Sequence, residues 1–477
     1  MVKTFHFVNA ASDDRKERKE IRRHVMMGKN AGKTIHRPSK IKALKQKELE
    51  QRNSKGSLVR IAKPVSGWYP TPFPRTDPRT SVETEMKSMA FPVELTPQYI
   101  EIITDFFAHV ADGMYPAHIG VSLEAAKCTW LRVMLLDEHN FHCSVALMQA
   151  CNATFLYGKW DALVSATFLT SSISHVRKKI ESPDALSCST VAIVLSLVTQ
   201  EQFRNEHEAA RVHLGGLVRM INLRGGLDTL KETPQVLLKA CKTDILFSLE
   251  YGNAPIFFRD RMADIRRLHK LQDSVHDLTT IPCIVQHCPD TRLSTIIIDV
   301  FDTCKLFNDP HHQYFEIDLE SYQEIIVSVS YRLLTLRHIH QQPLSSTPET
   351  LYQLGLIIFI MILFLQYGRR RLHRFARISG LLKHVLELHS VQSDKDLTLW
   401  LMITGGIWMM DGVWTLDAHS GDWLPPLISG LAKEMGLQTW DDARSHIIKY
   451  PWIYKLLDGP GSEIWERVLA FRKKSNE

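Results

Sequence analysis

Several stretches of this 477-residue chain bring together side chains that could do chemistry. Glu138-His139-Asn140-Phe141-His142 sets one carboxylate and two imidazoles within five residues, the donor types of a zinc site or an acid–base pair. No further ligand is evident in the surrounding sequence. The plainer reading is a helix–helix turn with Asn140 as the N-cap of the next helix. Cys283 and Cys288 flank His287, but one such pair is a weak metal signal. His311-His312, after Asp309-Pro310, reads as a loop, and His338 and His340 as helix-end histidines. Gly28-Lys29-Asn30-Ala31-Gly32-Lys33-Thr34 imitates a P-loop. It is one residue short, with Met27 where the first glycine belongs, and it follows a basic helix rather than an apolar strand. No nucleophile elbow, His-Glu-x-x-His, Rossmann or kinase pattern is present in the sequence. The sequence therefore names no catalytic residue, cofactor or metal ligand.

The remaining chemistry is cationic. Arg15, Lys16, Arg18, Lys19, Arg22 and Arg23 fall within nine residues, and Lys40, Lys42, Lys45 and Lys47 form a second cluster. Residues 11–63 hold 17 lysines and arginines against 6 acidic residues, a balance of +11 in a chain of +6, so the rest carries −5. A basic arm on a near-neutral body points to an anionic partner: nucleic acid, an acidic membrane surface or an import receptor. Two basic clusters around a polar spacer suit nuclear import. They also suit phosphate contact, which is sequence-blind and salt-sensitive. Base readout needs a helix held in the major groove. The arm offers one at 13–26, with no leucine heptads behind it. Otherwise the arm reads as a solvated, largely disordered tail.

What must position any site is helical. After the arm (1–63), Pro64, Pro70, Pro72, Pro74, Pro78 and Pro92 mark 64–95 as an extended linker without regular helix. From 96 to 477, 3.6-residue periodicity predicts helices over 97–112, 121–136, 141–156, 160–181, 184–204, 206–223, 234–251 and 260–276. It continues with 290–307, 316–340, 347–368, 380–391, 394–416, 425–436, 439–448 and 462–472. Few segments alternate as strands do and no fixed-period repeat is found, so the fold class is all-α, one large multi-helical domain behind the basic arm. The apolar run Leu354 to Leu365, 12 residues before Arg369-Arg370-Arg371, is short of the roughly 20 that a membrane span needs and reads as a buried core helix. Eight cysteines lie mostly in apolar helical patterns behind an N-terminus without the apolar run of a signal peptide. Reduced thiols in a reducing compartment are expected.

Within this body His213-Leu214-Gly215-Gly216-Leu217-Val218-Arg219-Met220-Ile221-Asn222-Leu223-Arg224-Gly225-Gly226-Leu227 is the most distinctive stretch. Ala210, Leu214, Leu217 and Ile221 form one helical stripe, and Arg211, Gly215, Arg219 and Asn222 another, polar or bare. Gly215 and Gly216 sit mid-helix at a cost of roughly 1 kcal/mol each, which predicts a closely approaching backbone. Gly225-Gly226 predicts a C-cap. The segment resembles the signature of the fungal-specific transcription factor domain, carried here by His213, Leu214, Gly216, Leu217, Met220, Arg224, Gly225 and Gly226. Leu399-Trp400, Gly405-Gly406, Trp423-Leu424, Gly436-Leu437, Trp440, Pro451-Trp452 and Trp465 follow the order and approximate spacing of that family's C-terminal part, with Leu424 where phenylalanine is usual. Phe7-Val8-Asn9 and Arg22-Arg23-His24-Val25-Met26 are similar to the start of a subfamily that lacks the zinc cluster, and the six cysteines of that cluster are missing here.

The resemblance implies a nuclear fungal transcriptional regulator, not an enzyme, controlling a metabolic (secondary metabolite) gene cluster. The partners it implies are DNA through the basic arm, transcriptional co-regulators, a small-molecule effector held by the helical body, and a second copy in a homodimer; no membrane is expected. The alternatives are a helical co-regulator that does not bind DNA, and a cytosolic small-molecule-binding protein or enzyme on the same fold.

Overall fold

The computed structural model describes Val82, Glu85, Met86 and residues 89–476 except 116–118, 157–161, 205, 270–289, 309–316, 338, 340–346, 368–369, 372–374, 389–393 and 410–422. Among these, the only strands are a two-residue antiparallel ladder, Gln366–Tyr367 with Arg370–Arg371. The remainder is helical. The helices are α1 Pro97–Asp105, α2 Leu123–Met134, α3 Glu138–Phe155, α4 Ala162–Ile180, α5 Cys188–Phe203, α6 His207–Arg224, α7 Pro234–Tyr251 and α8 Met262–Leu268. They continue as α9 Thr291–Asn308, α10 Leu319–Thr335, α11 Pro348–Leu365, α12 Ala376–Leu388, α13 Lys395–Met409, α14 Leu424–Glu434, α15 Trp440–Ile447 and α16 Tyr454–Asn476.

Several of the helix starts have a side-chain cause. Thr96, Ser122, Ser187, Asp318 and Thr439 accept hydrogen bonds from backbone N–H groups of the first turn, and Asp442 completes a capping box at α15. At α3 the cap is Asp137, whose carboxylate accepts from Asn140 N at 2.9 Å. This corrects the expectation at Asn140, which is buried one turn inside the helix and bonds Ser189 Oγ at 2.7 Å. An aspartate three residues ahead satisfies the free N–H groups better than an asparagine that is needed between helices.

Helices α3 and α5 are central. The first packs on α1, α2, α4 and α5, the second on α6 and α7, and α7 leads through α10 to α11 and α13. Two apolar cores result. One gathers Phe106, Phe141, Met148 and Phe155 around α1–α3, and the larger spans α5 to α16. Helix α11 is buried along Leu354–Leu363, and no helix among the described residues is long and apolar enough to cross a membrane. Six described cysteines are free thiols.

Three expectations need correcting. Val82, Glu85 and Met86 are helical, and Val82 and Met86 are buried in the smaller core, so the packed body begins inside the stretch read as linker. The proline-free interval between Pro78 and Pro92 leaves room for a turn of helix. Helix α16 starts at Tyr454 rather than 462 and runs through Pro460, and at Gly461 the Trp440 ring lies against its backbone. Gly215 and Gly216 face open space, not a neighbouring backbone. The close approaches occur elsewhere: a β-carbon at Gly355 of α11 would stand 2.3 Å from the Trp400 ring of α13.

Candidate functional site

A cavity of about 200 Å³ lies where the two cores meet, and it is assembled from helical stripes. Ser144, Leu147 and Cys151 of α3, and Ser196, Thr199 and Phe203 of α5, each present i, i+3, i+7. Lys239, Lys242, Thr243 and Leu246 of α7 form a third stripe, α2 contributes Thr129, Trp130 and Val133, and Tyr322 of α10 closes the far side. The polar atoms of the wall are largely spoken for. Ser196 Oγ donates to Ala192 O at 3.0 Å, Thr199 Oγ1 to Leu195 O at 2.9 Å, Thr243 Oγ1 to Lys239 O at 2.8 Å, and Tyr322 Oη to Leu363 O at 2.7 Å. Trp130 Nε1 donates to Tyr115 Oη at 3.3 Å, and its ring lies 4.6 Å from that of Phe106.

Lys239 stands out in this wall. Its ammonium donates to Ser196 Oγ at 3.3 Å and stands 5.9 Å from the Trp130 ring, and no carboxylate pairs with it among the described residues. Burial pushes its pKa down to about 8, and Lys242 is pushed to about 8 by burial and then by the charge of Lys239. The Cys151 thiol is pushed up to about 12 by burial and stays neutral. A cationic nitrogen on an apolar wall, with an indole face on one side, has the chemistry to pair with an anionic group carried by an apolar body.

The Glu138–His142 segment meets a partner that its sequence does not contain. His175 comes across from α4, its Nδ1 2.8 Å from His139 Nδ1 and its ring stacked on His142 with centroids 4.6 Å apart. Tyr99 Oη pairs with His142 Nδ1 at 3.2 Å, and Glu138 Oε1 lies 3.8 Å from His142 Nε2. Burial, then the neighbouring imidazoles, lowers the His175 pKa to about 4, and burial lowers that of His142.

The signature residues of α6 serve the packing. Ala210, Leu214, Leu217, Met220 and Ile221 are buried, while Arg211, Gly215, Gly216, Arg219 and Asn222 are exposed. Gly225, at φ +107°, and Gly226 close a C-cap in which Gly226 N donates to Ile221 O and Gly225 N to Asn222 O. Arg224 donates to Leu186 O ahead of α5, and at 3.2 Å to Thr229 O in the following turn. His213 is half-buried, and burial lowers its pKa. Arg15, Lys16, Arg18, Lys19, Arg22, Arg23, Lys40, Lys42, Lys45 and Lys47 lie outside the described residues, as do 28–34, Cys283, His287, Cys288, His311, His312, His338 and His340.

Neither Lys239 nor Trp130 belongs to a sequence motif. A signal was present: Gln235, Lys239, Lys242 and Thr243 form a narrow polar stripe on a helix otherwise built from Val236, Leu237, Leu238, Ala240, Cys241 and Ile245. No family model, curated protein or solved structure matches the chain.

Proposed function

We propose that the helical body is the effector-binding part of a nuclear transcriptional regulator, and that Lys239 holds the anionic head of a small apolar metabolite. The single observation that supports ligand binding is the ammonium of Lys239, set in the cavity wall with a hydroxyl and an indole but no carboxylate partner among the described residues. At about 200 Å³ the cavity is smaller than the ~300–1,000 Å³ of drug-sized sites. It suits a single-ring or short-chain carboxylic acid. The transcriptional reading rests on the resemblance in 213–227 and the C-terminal part, with the basic arm as the element for nuclear import and DNA phosphate contact. A screen of paired carboxylic acids and their amides by thermal shift tests the pocket: the acids raise the melting temperature, the amides do not, and Lys239→Met abolishes the difference.

A second reading is supported by the same side chain. A lysine with pKa near 8 in an apolar pocket keeps a fraction of its amine unprotonated at neutral pH, suited to condensing with a carbonyl compound and releasing water. Borohydride trapping of a lysine adduct, absent in Lys239→Met, would put catalysis ahead of sensing.

A further inference from the structure

We propose that Glu138, His139 and His175 form a binding site for one borderline divalent transition metal, with zinc the class it suits best. The three ligand atoms lie within 4.8 Å of one another on two helices, α3 and α4, that pack against each other. Two imidazoles and one carboxylate are the donor set of an open zinc site, in which a water completes the tetrahedron.

The facing Nδ1 atoms carry the argument furthest. At 2.8 Å, one of them must donate a single shared proton and the other must accept it. Ligand atoms on a tetrahedral zinc at about 2.0–2.1 Å sit roughly 3.3 Å apart. Opening the pair by about half an ångström, with the donor ring's proton moved from Nδ1 to Nε2, therefore admits the ion. The rings are already aimed. His175 is stacked at 18° on His142, and His142 is in turn held by the Tyr99 hydroxyl, the kind of outer support that fixes a ligand imidazole. His175 is only 9% exposed, so packing holds its ring in place. Glu138, at the start of α3, is exposed and brings the negative charge from the solvent side. Of the nearby cations, Lys179 is neutralised by Asp137 at 2.9 Å. This donor set is unrelated to cysteine clusters, and it places an ion at the crossing of α3 and α4, away from Lys239.

The test is a spectroscopic titration of the full chain, stripped with a chelator, using Co²⁺ as probe and Zn²⁺ as competitor. One equivalent of Co²⁺ should bind with the intense ligand-field bands of low coordination, and Zn²⁺ should displace it. His139→Ala and His175→Ala should each weaken binding by about tenfold or more. Glu138→Gln should weaken it as well. Since Glu138 is exposed, that variant keeps the fold and decides the matter if a histidine variant unfolds. Cys283→Ser/Cys288→Ser should bind as the parent does. Absence of stoichiometric binding, undiminished affinity in Glu138→Gln together with folded His175→Ala, or loss only in the cysteine variant would each overturn the site.

Discussion

At the scale of single residues, the account turns on Lys239. Its folded pKa of about 8 lies below the ordinary 10.5, so over that interval the unfolded chain holds the proton that the folded protein has released. The contribution of Lys239 to stability therefore rises between pH 8 and 10.5. The stabilisation present above that window is lost as pH falls through 8, by at most roughly 3 kcal/mol. Lys239→Met should be more stable than the parent at pH 7, and that advantage should shrink by pH 10, as read from urea unfolding of both proteins, with Lys242 keeping its own share of the slope in each. An unchanged slope would place the ammonium in water rather than in the wall. Little of this residue's role was legible in the sequence. Lys239 stands there on a short polar stripe with Gln235, Lys242 and Thr243, and Trp130 and Ser196, which face it, come from two other helices. The histidine cluster was hidden for the same reason: His175 is 36 residues from His139, and a search for a third ligand nearby could not reach it.

At the scale of elements, the helices were legible because 3.6-residue periodicity is a local property, whereas the partners of their glycines were not. Gly215 is exposed, mid-helix, and opposed by nothing within 4 Å, so Gly215→Ala should stabilise the chain by about 1 kcal/mol. Gly355 looks the same in sequence, yet its Cβ would stand 2.3 Å from Trp400, whose Nε1 donates to Pro451 O at 3.1 Å and whose ring stacks on Tyr450. With the indole so fixed, Gly355→Ala should destabilise by about 1–3 kcal/mol. Thermal melts of the two variants should move in opposite directions; the same sign in both would contradict the packing. The join of α8, α9 and α10 adds charge to its apolar packing. Asp299, 2% exposed, pairs with Arg266 at 2.5 Å and with Arg332. Asp302 and Asp260 stand farther off, at 3.5 and 3.6 Å. Asp299→Asn leaves two guanidinium groups with these weaker partners and should cost about 3 kcal/mol in urea unfolding.

At the scale of the whole molecule, charge and apolar content are divided along the chain: +11 on 11–63 and −5 on the remainder. If the arm is the DNA-binding element, selection from a random duplex pool should enrich one motif with the full chain and none with a chain lacking 1–63. Retention that is steeply salt-dependent but motif-free would leave the arm a phosphate binder or import signal. The all-α class was legible because strand-like alternation is scarce; the cavity was not, because it exists only where stripes from α2, α3, α5, α7 and α10 converge. The central claim is that this cavity binds an anion through Lys239. Its most direct test is the dissociation constant of the tightest acid from the thermal-shift screen, measured by calorimetry from pH 6 to 10 on the parent and on Lys239→Met. Binding to the parent should be constant below about pH 8 and weaken by about tenfold per unit above it, as the ammonium is lost, while the variant binds weakly and without that break. A flat profile shared by both proteins, or equal affinity for acid and amide, would contradict the claim.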